Sequence, residues 1–113
     1  MNEKAKKHLF DIRQAIDLIE LFTESTNEFE QYQKDLKTKS AVERQLSILG
    51  EAVVRFGQEE KESRLENAKQ IVGFRNRLVH AYDNIDDAIV WVILKTYLPT
   101  LREEVIEQLS EAE

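Results

Sequence analysis

The chain contains no cysteine among its 113 residues, which excludes disulfides, thiolate catalysis and cysteine-ligated metal sites. That absence fits a reducing compartment. Proline is nearly as scarce, Pro99 being the single example, and the three glycines Gly50, Gly57 and Gly73 are too scattered to build a glycine-rich phosphate loop. Only two histidines are present, His8 and His80, too few for a metal centre, which also needs clustered carboxylates. Ser/His/Asp catalysis has no supporting arrangement. No apolar run approaches the ~20 residues of a membrane span, and Met1-Asn2-Glu3-Lys4 runs straight into helical pattern instead of a signal peptide. The expectation is a cytoplasmic protein with no membrane segment, no cofactor and no metal.

What is present is 42% apolar residues, enough for one domain over residues 1–113 with an adequate but small core. An exposed apolar face on so small a body would favour dimerisation. The net charge of −6 argues against sequence-independent coating of nucleic acid, which relies on many Lys and Arg contacts to phosphate. The charge is uneven, however. Arg64, Lys69, Arg75 and Arg77 face only Glu66 within their stretch, whereas the tail from Arg102 onward carries five glutamates. A local anion site on an acidic protein is therefore open, with Arg64, Lys69 and Arg77 as its candidate contacts.

Hydrophobic spacing predicts helices throughout. The first runs from about Glu3 to the low twenties with Leu9, Ile12, Ile16 and Ile19 on one face, and Thr23-Glu24-Ser25-Thr26-Asn27 breaks it. Phe29, Tyr32 and Leu36 then pin a polar connection to the body. Ser40 with Glu43 reads as a capping box for a second helix carrying Val42, Leu46, Leu49, Val53 and Phe56, with Gly57 as its stop. Ser63 with Glu66 opens a third helix that ends near His80, with Leu65, Ala68, Val72, Arg75 and Val79 as its stripe. Asp83-Asn84 offers turn and cap residues before a fourth helix. In it Pro99 forces a kink or break, since it removes a backbone donor and crowds the preceding turn. With no period-two alternation and no internal repeat, the fold class is all-α, a bundle of four main helices with a proline-kinked last helix.

The segment Arg75-Asn76-Arg77-Leu78-Val79-His80-Ala81-Tyr82 departs from packing. An always-charged guanidinium occupies a stripe position, and a group that titrates near neutral pH and a phenol follow within one element terminus. His80 can take a proton from, or return one to, a hydroxyl or leaving oxygen, and Arg75 can stabilise charge developing on a phosphoryl group. Asn76, one turn before His80, can orient its ring. Five residues on a helix subtend ~140°, so Arg75 and His80 meet only if the helix ends near His80 and the chain turns back, or if two subunits share the site. Each residue also has a plainer reading. Arg75 can pair with Glu43 or Glu51, His80 can complement the helix dipole, and Tyr82 can be a half-buried aromatic. His8 reads as a surface or rim residue, and Trp91 and Tyr97 as core or dimer interface.

These residues resemble the Arg-x-x-x-x-His-x-Tyr signature of HepT-type HEPN proteins. Similarity extends through Ile12 to Glu20, Phe29, Lys37 to Val42, Leu49-Gly50-Glu51-Ala52, Val90-Trp91 and Leu98-Pro99. Ala81 stands where many members have glycine, and Gln58 to Ser63 is short, lacking their proline and tryptophan. The resemblance implies an antiparallel HEPN bundle forming a homodimer, with a metal-independent endoribonuclease site that contains both Arg75–His80 pairs and is supported by Asn76. It further implies the toxin of a type VII toxin–antitoxin system, its RNA-cleaving activity neutralised by AMPylation of Tyr82 by a MntA-like minimal nucleotidyltransferase. Two other classes stand beside this one. The first is a non-catalytic module whose Arg64–Arg77 stretch holds a nucleotide or anionic substrate for a nucleotidyltransferase. The second is a helical dimer in which Arg75 is only an interface ion pair.

Overall fold

Asn2 starts the first helix by accepting the Ala5 N–H at 2.7 Å, one of the first-turn donors that has no partner within the helix. The helix, α1, runs over Glu3–Phe22 and buries Ala5, Leu9, Ile12, Ala15, Ile16 and Ile19, the face that the spacing predicts. Thr23 closes it, its hydroxyl donating to the Ile19 carbonyl at 2.8 Å. The computed structural model describes residues 1–62, 65–80 and 82–112, Tyr82 by its backbone alone.

The connection that follows is more ordered than its polar composition suggests. A six-residue helix, α2, spans Phe29–Lys34, and the Gln31 carboxamide reaches back to the Glu28 N–H at 3.1 Å. Helix α3 then begins at Leu36 and runs to Glu59. Ser40 is not its cap, as expected from sequence, because Asp35 already is. The Asp35 carboxylate accepts the Thr38 hydroxyl at 2.6 Å and the Thr38 N–H at 3.1 Å. Those bonds, the hydroxyl's first, hold the Asp35 carboxyl below the usual carboxylate range. Nor does Gly57 stop the helix, since one interior glycine costs only about 1 kcal/mol and the last turns are anchored by buried Val53 and Phe56. Tyr32 is fully buried as expected, but Leu36 is 74% exposed and pins nothing.

Helix α4 covers Ala68–His80. The expected cap residue Ser63 lies outside the described residues, and Glu66 and Asn67 form a turn ahead of the helix. The buried stripe of α4 is Ile71, Phe74 and Leu78, with Val79 49% exposed. Two sets of positions on this helix step by three and four. Periodicity alone does not choose between them, and the core takes the one that offers an aromatic ring and no charge. A 3-10 turn at Tyr82–Asn84 follows, and Asp86 rather than Asp83 or Asn84 caps the next helix, accepting the Ala88 N–H at 2.9 Å.

The last rod comprises α5 (Asp87–Val92), a π-helical segment at Ile93–Tyr97 and α6 (Leu98–Ala112). Pro99 cannot donate to a carbonyl one turn back, and the helix absorbs the lost bond by widening its register immediately before it. Leu98 keeps ordinary helical angles, so the proline changes the pitch of one rod and does not separate two. The four main helices enclose a single core, with no strand among the described residues. The start of α1 meets the end of α3, Asn2 donating to Glu59 at 3.3 Å, so those two run antiparallel. Arg102 ties α6 to α1 through Asp17 and, at 3.1 Å, Glu20. The 24 residues of α3, at about 1.5 Å each, account for most of the 42 Å long axis.

Trp91, expected in the core or a dimer interface, is half-buried and packs against the core. It meets Phe29 edge-on and Tyr32 at a tilt, at centroid distances of 6.2 and 5.9 Å, and Lys95 caps its face at 4.6 Å. Beneath it the Tyr32 hydroxyl is buried with no hydrogen-bond partner among the described residues. Burial, followed by the charges of Glu43 and Asp87, pushes that phenol upward. Asp87 is paired with Lys39 at 2.7 Å. Glu43 is raised by burial and by Asp87, with Lys39 opposing. Because folding favours its protonated form, the stability it contributes is present at low pH and is lost as pH rises through its folded-state value. Glu43→Gln keeps the shape and removes that charge, so it is expected to melt above the parent protein at pH 7, with the gap closing below about pH 4. Thermal melts of both proteins at the two pH values check this; an equal or lower melting temperature of the variant at pH 7 contradicts it.

Candidate functional site

Arg75 sits where α4 crosses α3, and the crossing depends on a missing side chain. A Cβ built on Gly50 would lie 2.3 Å from the Arg75 Cβ and 2.5 Å from its Cγ, so only glycine lets the two helices approach this closely at that point. The arginine is thereby laid across α3, its side chain 26% exposed. Its Nη2 donates to Glu51 Oε2 at 2.5 Å and its Nη1 to Asn76 Oδ1 at 3.0 Å. Of the two carboxylates that the sequence offers as partners, Glu51 is the one engaged, and Glu43 belongs to the Tyr32 cluster. Glu51 also accepts Arg55 Nε at 2.9 Å. These bonds use two of the five guanidinium donors and fix the plane of the group, and the other donors have no partner among the described residues.

His80 is the last residue of α4 and is exposed. It makes no hydrogen bond or ion pair with the described residues. Since α4 is continuous from Ala68 to His80, the imidazole points ~140° away from Arg75 in projection and ~7.5 Å further along the axis. One chain does not bring the pair together through its helix alone. Asn76 is exposed, and its carboxamide oxygen is committed to Arg75 rather than to His80. Tyr82 follows α4 by two residues on the 3-10 turn; its side chain, and hence its expected modification, lies outside what is described. Arg77 and Lys69 are exposed. Arg77 is about 200° around α4 from Arg75, beside Gly73 and Tyr97, and Arg64 lies outside the described residues.

Beside Arg75 a groove of about 610 Å³ opens between α1 and α3, and the sequence reading missed it. Its signal was available in Arg44, Ile48, Glu51 and Arg55, which step by four, three and four along one face of α3. Nothing in that spacing showed that Arg75 from another helix would join them. His8, expected at the surface or rim, lines this groove. Among the described residues no three His, Cys, Asp or Glu side chains lie close enough together to hold a metal ion, and no helix is long and apolar enough to cross a membrane.

Comparison with known proteins gives a consistent picture. The family profile described as ribonuclease HepT-like matches residues 12–108. A protein of Thermococcus cleftensis named as a probable ribonuclease HepT is 36% identical over 103 residues, covering 90% of this chain and 93% of the relative. A protein of Methanocaldococcus jannaschii, named provisionally as an RNase, is 32% identical over 100 residues, covering 88% of this chain and 82% of its own. Another such protein, from Caldanaerobacter subterraneus, is 35% identical over 85 residues, with 74% and 75% covered. No solved structure matches the chain at a significant level.

Proposed function

The chain belongs to the HepT-like ribonuclease family, and from that membership we propose that it is a metal-independent endoribonuclease working as a homodimer with a composite Arg75–His80 site. The observation that carries this is the guanidinium of Arg75, pre-positioned by Gly50, Glu51 and Asn76 with donors to spare, next to a helix end that presents an uncommitted imidazole. In the reaction the ribose 2′-oxygen attacks the adjacent phosphorus, and the bond from phosphorus to the 5′-oxygen breaks. His80 removes the 2′-hydroxyl proton, and an imidazolium returns a proton to the leaving 5′-oxygen. Arg75 holds the non-bridging oxygens as their charge rises. A 2′,3′-cyclic phosphate and a 5′-hydroxyl result. The ~140° between the two side chains on one helix is why a second copy is needed, so that a cleft shared by two subunits holds both pairs. Asn76 supports the site by holding Arg75, and the exposed Lys69 and Arg77, with Arg64, serve as outer anion contacts.

Regulation follows the same chemistry. A MntA-like nucleotidyltransferase, as the antitoxin of a type VII system, would attach AMP to Tyr82, two residues beyond the catalytic histidine. Added bulk and negative charge beside an anion site would repel RNA. Intact mass and peptide mapping of protein co-expressed with such a partner test this arm, and an unmodified Tyr82 beside an active transferase argues against it.

The catalytic arm is tested by cleavage of RNA with EDTA present. Protein free of AMP is expected to cut, and His80→Ala to lose about 10²–10⁴-fold with its fold intact. Mixing His80→Ala with Arg75→Ala protomers is expected to restore part of the activity, because a mixed dimer still holds one intact arginine and one intact histidine in its cleft. No restoration would place each site within one chain. Nucleotide binding without any cleavage would favour a non-catalytic partner of a nucleotidyltransferase.

A further inference from the structure

The groove between α1 and α3 is positive on a protein that is otherwise acidic. It is lined by the cations Lys7, Arg44, Arg55 and Arg75 against two carboxylates, Asp11 and Glu51. Both carboxylates are already committed. Asp11 holds Lys7 at 2.7 Å, and Glu51 is divided between Arg55 and Arg75. Arg44 pairs with no carboxylate among the described residues and is exposed. Eleven residues separate Arg44 from Arg55, which is three turns plus ~20°, so both project from one face of α3 about 16 Å apart. Arg75 enters over Gly50, between them along the axis. The result is a row of three guanidinium groups on the groove wall. Across from it His8 lines the groove, its Nδ1 turned into the protein and without a hydrogen-bond partner among the described residues.

We propose that this groove is the track for the RNA strand flanking the scissile bond, with Arg44 and Arg55 each seating a backbone phosphate. The inference rests on the ribonuclease reading of Arg75 and adds to it where the strand runs. A concave row of cations that follows one helix suits a single strand, whose phosphates are contacted in series without reading of base edges. Arg44 is the informative member, because no carboxylate among the described residues occupies its charge. Placing the track here also accounts for Glu51, which offsets only part of the positive charge and so keeps Arg75 aligned while the groove stays attractive to anions.

The test is fluorescence anisotropy of a labelled single-stranded RNA in the His80→Ala background, which prevents cleavage during the measurement. Arg44→Glu and Arg55→Gln are each expected to weaken binding about tenfold, with the slope of log affinity against log salt smaller by ~0.7 for each lost phosphate contact. Lys34→Glu, an exposed charge change on α2, serves as the reference and is expected to do neither. Circular dichroism confirms that the variants fold, since exposed arginines carry little stability. Variants that bind like the Lys34→Glu reference would overturn the track while leaving the catalytic reading standing. Binding that depends on Arg44 and Arg55 in a protein that never cleaves would support the track and remove the ribonuclease. No RNA binding by the parent protein would remove both.

Discussion

Arg75→Ala is expected to lower RNA cleavage by about 10²–10³-fold, the usual cost of removing one pre-positioned donor from a developing oxyanion, while the protein stays folded. The stability cost should be below about 1 kcal/mol, as for other partly exposed ion pairs. Glu51 keeps Arg55 at 2.9 Å, so no carboxylate is left bare. Arg75→Lys separates charge from geometry. Lysine retains the positive charge but cannot bridge Glu51, Asn76 and a phosphate with one planar group, so most of the loss should persist. Glu51→Gln leaves Arg75 charged and in place but loosens its orientation, and should act mainly on turnover rather than on RNA affinity. Full activity in Arg75→Lys would mean that the guanidinium plane, and with it the Glu51 contact, has no part in the chemistry.

Gly50→Ala is expected to be the most damaging methyl addition among the three glycines. Two effects oppose each other. Alanine is the better helix former by about 1 kcal/mol, but its methyl would lie 2.3 Å from the Cβ of Arg75, an atom fixed to the α4 backbone that cannot swing aside. Overpacking of this kind costs about 1–3 kcal/mol, so the net expectation is a melting temperature lower by several degrees. The larger effect is on function. Displacing α4 by even ~1 Å moves both Arg75 and the helix end that carries His80, and misplacement on that scale costs about 10²-fold. Gly57→Ala is the internal control. Nothing lies within 4 Å of its added methyl, so it should gain about 0.5–1 kcal/mol and keep its activity. If Gly50→Ala melts and cleaves like Gly57→Ala, the close crossing of α3 and α4 does not position the site.

Some elements were legible because they rest on local rules. The span of α1, its buried face and its stop at Thr23 follow from spacing and capping alone, as does the all-helical class. The element boundaries that sequence misplaced were contests between neighbouring signals. Asp35 displaces Ser40 as cap because its carboxylate accepts both the Thr38 hydroxyl and the Thr38 N–H, and the π segment before Pro99 shows a helix absorbing a defect that local rules read as a kink or break. The buried face of α4 was a choice between two stripes of equal period, settled by which one joins the core.

By itself, the sequence determined that the chain is helical, that it lacks cysteine chemistry, and that Arg75, Asn76, His80 and Tyr82 are gathered at the end of one helix. These are properties of composition, period and order along the chain. Only the tertiary structure decided that Glu51 rather than Glu43 holds Arg75, that Gly50 is the space the arginine occupies, and that Arg44, Arg55 and His8 share a groove with it. Those relations join residues from α1, α3 and α4 that lie far apart in the chain. They exist because packing brought the helices together at that one crossing, and no local pattern records which residues will face each other across it.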